Sequence, residues 1–175
     1  MEYRVIRSNR RTVALHITAD GSLEVRCPFG MPGEEIRRFV KSKERWIQKH
    51  RRSDPGEKLT QAQLETLTRQ AGEVFPEVVS HFAPLVGVTW GRITVRHQKT
   101  RWGSCSAAGN LNFNCLLLLA PPEVLEYVVI HELCHRKQMN HSKAFWALVE
   151  ACCPGYRDHR KWLRQNGHSL IARLP

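Results

Sequence analysis

His131-Glu132-Leu133-Cys134-His135 sets two imidazoles four residues apart with a carboxylate between them. On a helix that spacing puts both rings on one face, about one turn apart, where they can share a single cation. Glu132, one step around, can hold a water and take its proton. This is the division of labour in zinc hydrolases, in which histidines bind the metal and a glutamate acts as general base. A hydrolytic zinc site wants three protein ligands and one position left open for water. His141, six residues after His135, is the third ligand that the spacing predicts.

The five-residue gap between His135 and His141 is the one metzincins use, with a glycine at its third residue and a methionine turn further on. Here Gln138 stands at the glycine position, and no methionine follows His141. Met139-Asn140 is then expected to make the turn, since asparagine tolerates left-handed backbone angles. The pattern describes a zincin that is not a metzincin, with one zinc per chain. Imidazole and carboxylate donors suit zinc first, and iron, nickel or manganese in vitro.

These residues need a helix to carry them. The spacing predicts one over 123–139, where Val124, Leu125, Val128, Val129, Ile130 and Leu133 leave little polar face. Such a helix is buried on most sides, and buried ionisable groups need partners or a metal. Pro121-Pro122 suits the first turn. Before it, 111–119 reads as a strand reached through the turn Ala108-Gly109-Asn110, and 99–106 reads as a loop. An edge strand beside a metal helix can hold an extended substrate by main-chain hydrogen bonds; residues 109–114, with Asn112 and Asn114, are the candidate. Arg101, in the loop, is the candidate to steady an oxyanion or a phosphate.

Further out, Val13, Leu15 and Ile17, then Leu23, Val25 and Cys27, alternate about an Asp20-Gly21 hairpin signal, so the first 31 residues read as a β-meander. A basic helix follows Pro32-Gly33, with Ile36, Phe39, Val40, the Lys43 stem and Ile47 on its apolar face and Arg37, Arg38, Lys41, Arg45 and Lys49 opposite. It is expected to run to Arg51-Arg52. Ser53-Asp54-Pro55-Gly56 reads as a linker, separating a unit at 1–53 from one at 57–175. In the second unit, Thr60-x-x-Gln63 resembles a capping box. Pro76 is expected to end or kink the helix that follows. Ser142 is placed to cap another helix, and a last one is expected from Tyr156 to Gln165, stopping at Asn166-Gly167.

The bulk composition frames this. The chain has 175 residues, 42% hydrophobic and 25% charged, as in an ordinary folded protein. No apolar run approaches the ~18–20 residues of a membrane span, and the first residues lack the apolar core of a secretory signal. Six cysteines with no Cys-x-x-Cys pair exclude a cysteine-based zinc ribbon and read as reduced thiols. A cytoplasmic monomer is expected. The net charge of +11, from 27 Lys+Arg against 16 Asp+Glu, favours polyanions: nucleotides, acidic peptides or nucleic acid bound through the basic surface.

Three stretches together resemble the YgjP-like metal-dependent hydrolases, zincins placed near the SprT and WLM-type metallopeptidases. They are Arg101-Trp102-Gly103-Ser104-Cys105; Pro122-Glu123 with the later His131-Glu132-Leu133-Cys134-His135; and His141-Ser142-Lys143-Ala144-Phe145-Trp146. The resemblance implies an α+β, zincin-like fold: a small antiparallel or mixed sheet packed on an active-site helix, with an N-terminal β-rich extension and helix. It implies metal ligands at His131, His135 and His141, a catalytic Glu132 and a metallopeptidase activity. A nucleoside triphosphate pyrophosphatase acting on UTP through the same site is the alternative that the resemblance leaves open. A nucleic-acid-associated protease or binding module is the other that the basic helix leaves open.

Overall fold

The computed structural model describes residues 2–18, 22–50 and 57–175. Asp20-Gly21, Arg51-Arg52 and Ser53-Asp54-Pro55-Gly56 lie outside the described residues, and with them the hairpin and linker signals. The chain divides into two units, Met1–Gly56 and Glu57–Pro175, each with its own hydrophobic core.

In the first unit the strands are β1 (Arg4–Ser8), β2 (Ala14–Ile17) and β3 (Leu23–Pro28). Their order is β1-β3-β2, with β1 parallel to β3 (Val5 opposite Val25) and β2 antiparallel to it (Leu15 opposite Val25). This corrects the expected meander. Alternation reports which face of a strand is buried, not which neighbour it pairs with. Leu23, Val25 and Cys27 fill the core together with Ile36, Val40 and Ile47. The basic helix is in fact two, α1 (Gly33–Ser42) and α2 (Glu44–His50). The first helix ends at Lys43, whose backbone leaves helical angles (φ −105°, ψ 12°) and whose amide is shared between the Phe39 and Val40 carbonyls at 3.2 and 3.1 Å, while the Ser42 hydroxyl donates to the Phe39 carbonyl at 2.7 Å.

In the second unit α3 (Gln61–Val86) opens on the expected capping box, Thr60 with Gln63. It then runs through Pro76 and Pro84 to a left-handed Gly87, φ 71°. Pro76 does not end it. A buried stripe from Leu64 through Ala71, Phe75 and Val79 to Val86 spans the prolines, and tertiary packing outweighs the ~3 kcal/mol an interior proline costs. Three strands follow: β4 (Ile93–Arg96), β5 (Gly103–Cys105) and β6 (Leu111–Asn114), in the order β4-β6-β5. β6 is parallel to β4 and antiparallel to β5. Phe113 of β6 stacks on Phe75 of α3, ring centroids 4.6 Å apart, which joins helix and sheet in one core.

The expected strand 111–119 stops after Asn114. The Asn114 side chain accepts the Leu116 amide at 3.1 Å and starts a 3₁₀ turn, Cys115–Leu119. α4 (Pro122–Cys134) carries the metal motif, followed by α5 (Lys143–Cys152) and α6 (Tyr156–Ala172). The α+β class expected of the chain is what the structure has. α6 does not stop at Asn166-Gly167, because Gly167 serves a different purpose: a Cβ there would sit 2.8 Å from the Trp102 indole. Glycine is what lets that ring lie flush on the helix.

Candidate metal centre

α4 is apolar on nearly every side, with Val124, Leu125, Val128, Val129, Ile130 and Leu133 buried. It delivers His131 and Glu132 from its last turn, with His135 capping its end. The helix is shorter than the expected 123–139. After Cys134 the backbone tightens through Arg136 N–H to Leu133 O and Lys137 N–H to Cys134 O, both 3.0 Å. That tightening turns the chain back toward the site. The chain also bends at Met139-Asn140 as expected, but among the described residues no non-glycine has a positive φ, so the bend is made without a left-handed Asn140. Ser142 then caps α5 by accepting the Phe145 amide at 3.3 Å, which holds His141 just outside the new helix.

The fold thus brings the three histidines together. Their ligand atoms lie within 4.8 Å of one another. His131 Nε2 and His141 Nε2 are 3.1 Å apart, and tetrahedral ligands on zinc, at Zn–N of 2.0–2.1 Å, stand about 3.3 Å apart. His135 binds the Gln138 carbonyl through Nδ1 at 3.0 Å, which leaves Nε2 for the cluster; a backbone carbonyl on the far nitrogen is the usual way a ligating ring is oriented. His131 Nδ1 is buried with no hydrogen-bond partner among the described residues, so the polar outlet of that ring is Nε2. Burial and the two neighbouring rings hold the His131 imidazole down at about 3, in its neutral, ligating form. Three converging lone pairs in a half-buried site are what a divalent cation satisfies, and the residues present fit one.

Phe145, fully buried, is the floor. It stacks under His135 at 4.5 Å and meets His131 and His141 edge-on, each at 4.9 Å. Trp146 stacks against His141 at 5.6 Å and on Tyr156 at 5.4 Å, and Arg160 lies over the Trp146 ring at 4.5 Å. Tyr156 is buried in that stack. None of these supporting roles shows in sequence spacing. Ser142 as a cap is the one sequence signal that places Phe145 in a first helical turn.

Glu132 is 5% exposed, and burial pushes its carboxyl up to about 8, with the Arg101 charge pulling the other way. It lies against β5. A Cβ on Gly103 would fall 2.7 Å from Glu132 Cγ and from Oε1, so only a glycine gives the carboxylate that seat. Arg101 and Gly103 line, with His131 and Glu132, a pocket of about 360 Å³.

The strand expected to meet substrate does not stand at an edge. β6 is paired on both sides, by β4 and β5. The Asn112 amide donates to Ser104 Oγ at 3.1 Å. Asn114 is 1% exposed and donates to the Gln98 and Arg101 carbonyls at 2.6 and 3.2 Å, tying down the loop that holds Arg101. Both asparagine side chains thus bond within the sheet and the loop ahead of it. The strand at the site's edge is β5, which falls within the expected loop 99–106.

A family model described as YgjP-like, metallopeptidase domain, matches residues 11–56 and 51–166. Among solved structures, the metallopeptidase zymogen of Pyrococcus abyssi abylysin is 25% identical with a TM-score of 0.47, over 53% of this chain and 98% of that one. The metallopeptidase zymogen of Methanocaldococcus jannaschii jannalysin is 22% identical with a TM-score of 0.39, over 43% of this chain and 78% of that one. No curated protein matches the chain.

Proposed function

The chain belongs to the YgjP-like metallopeptidase-domain family, and from that premise we propose that it is a zinc peptidase in which Glu132 is the general base. The observation that carries this reading is the convergence of His131, His135 and His141 beside a carboxylate seated on a glycine. The three histidines would hold the zinc. Bound there, zinc supplies Lewis acidity toward a carbonyl and makes a water acidic enough to be deprotonated near neutral pH. Glu132, buried and gripped by β5, takes that proton and returns it to the leaving amine.

β5 ends the sheet. Its bonds to β6 run through Trp102, opposite Asn114, and Ser106, opposite Asn110. In an antiparallel ladder the residues between such pairs direct their N–H and C=O away from the partner. Those are Gly103 and Cys105, and they are the positions on which an extended substrate adds as a further strand. Glu132 lies against Gly103, so a peptide held there runs past the base.

The test is Glu132→Gln in the full chain, with zinc content and turnover of a denatured protein measured together. About one zinc per chain is expected to remain while turnover is lost. Normal turnover by Glu132→Gln overturns the general-base assignment. A second reading, hydrolysis of a nucleoside triphosphate at the same centre, is favoured by the arginines beside it. Product analysis with a panel of nucleoside triphosphates decides that case.

A further inference from the structure

Two arginines of α6, Arg160 and Arg164, stand four residues apart and line the same pocket as Arg101 from the loop ahead of β5. Like charges at that helical spacing repel. The ion pairs among the described residues include none of the three, and Glu132, already committed to the metal centre, is the lone carboxylate lining the pocket. Arg160 is nevertheless held in place by its contact with the Trp146 ring. A preordered guanidinium is the side chain best shaped to take a carboxylate with two parallel hydrogen bonds.

We propose that this pocket is a subsite for a carboxylate of the substrate, so that the enzyme prefers peptides with an acidic group next to the bond it cleaves. The inference rests on the peptidase reading above and adds the substrate class. The pocket holds about 360 Å³, room for one or two residues of a peptide, and its walls at Trp102 and Leu163 are apolar enough to take the methylenes that carry the acid. His131 and Glu132 line the same pocket, so a group bound there belongs to a residue flanking the scissile bond.

Matched peptides test this: one series with Glu or Asp against Gln or Asn beside the cleaved bond, another with a free C-terminal carboxylate against the amide. Zinc-loaded protein is expected to favour the acidic member of at least one series by about tenfold in kcat/KM at low salt, equivalent to ~1.4 kcal/mol. Which series shows the preference tells a side-chain carboxylate from a chain end. The preference should fall toward one in an Arg160→Gln, Arg164→Gln double variant. A wild-type ratio near one in both series, or a ratio the double variant leaves unchanged, overturns the subsite.

The same peptide pairs titrated against zinc-loaded Glu132→Gln, read by tryptophan fluorescence, decide the subsite without turnover. Tighter binding of the acidic peptide that the two arginine changes abolish supports it, and equal binding overturns it. If acidic peptides bind selectively yet no peptide is cleaved by the wild type, the peptidase reading has failed and the anion subsite stands.

Discussion

A glycine and a phenylalanine do as much for the site as the residues that define its chemistry. Glu132 has its carboxylate where it is because Gly103 has no side chain. Gly103→Ala puts a methyl 2.7 Å from the carboxylate, and an ångström of misplacement in a reacting group costs on the order of 10²-fold in rate. Such a loss in kcat, with zinc content unchanged, is the expected outcome, checked by peptide turnover beside metal analysis. Phe145 supports all three rings at once. Phe145→Ala is expected to lower stability by about 3–5 kcal/mol, the usual cost of emptying a buried phenylalanine site. Denaturant melts of the metal-free protein measure that, and weaker zinc retention against a chelator should accompany it. The histidines and Glu132 were legible because a ligand set has a spacing. Gly103 and Phe145 were not, because what they do depends on which residue the fold lays against them.

At the scale of elements, the helices were read better for their starts than for their ends. Thr60 and Ser142 cap as their sequence context predicts, since a cap is a local bond to an amide three residues on. The ends are set by tertiary contact. α6 passes through Gly167 because the Trp102 indole packs on it, and α4 stops early because the next turn must bring His141 round. Gly167→Ala separates the two readings of that glycine. As a helix residue, alanine would gain up to ~1 kcal/mol. Pressed onto Trp102 it is expected to lose more, overpacking of this kind costing about 1–3 kcal/mol, so the melting temperature should fall. A rise would mean that Trp102 yields freely. The strand order was likewise out of reach: β6 alternates apolar and polar residues, as a strand does at an edge or inside a sheet, and only pairing shows that it is central with β4 and β5 at the edges.

The whole molecule divides its labour by unit. Every member of the larger core, from Leu59 to Leu174, belongs to Glu57–Pro175, as do all three histidines, Glu132 and the arginine-lined pocket. A polypeptide of residues 57–175 is therefore expected to unfold in one cooperative transition and to bind about one zinc. Calorimetry with metal analysis checks both, and a fragment that fails to fold would show that the smaller unit contributes to this core. No helix among the described residues is long and apolar enough to cross a membrane.

The sequence alone determined the donor set, the apolar helix that carries it and the caps, because each depends on residue type at short separation, and the family resemblance of its motifs implied the α+β class. What the tertiary structure decided was contact between distant segments. It set β5 as the sheet edge, placed Gly103 under Glu132 and Phe145 under the rings, and gathered Arg101, Arg160 and Arg164 at one pocket. Gly103 and Glu132 stand 29 positions apart and Arg101 and Arg164 stand 63 apart, and no local periodicity records which partner a residue will meet when the chain closes.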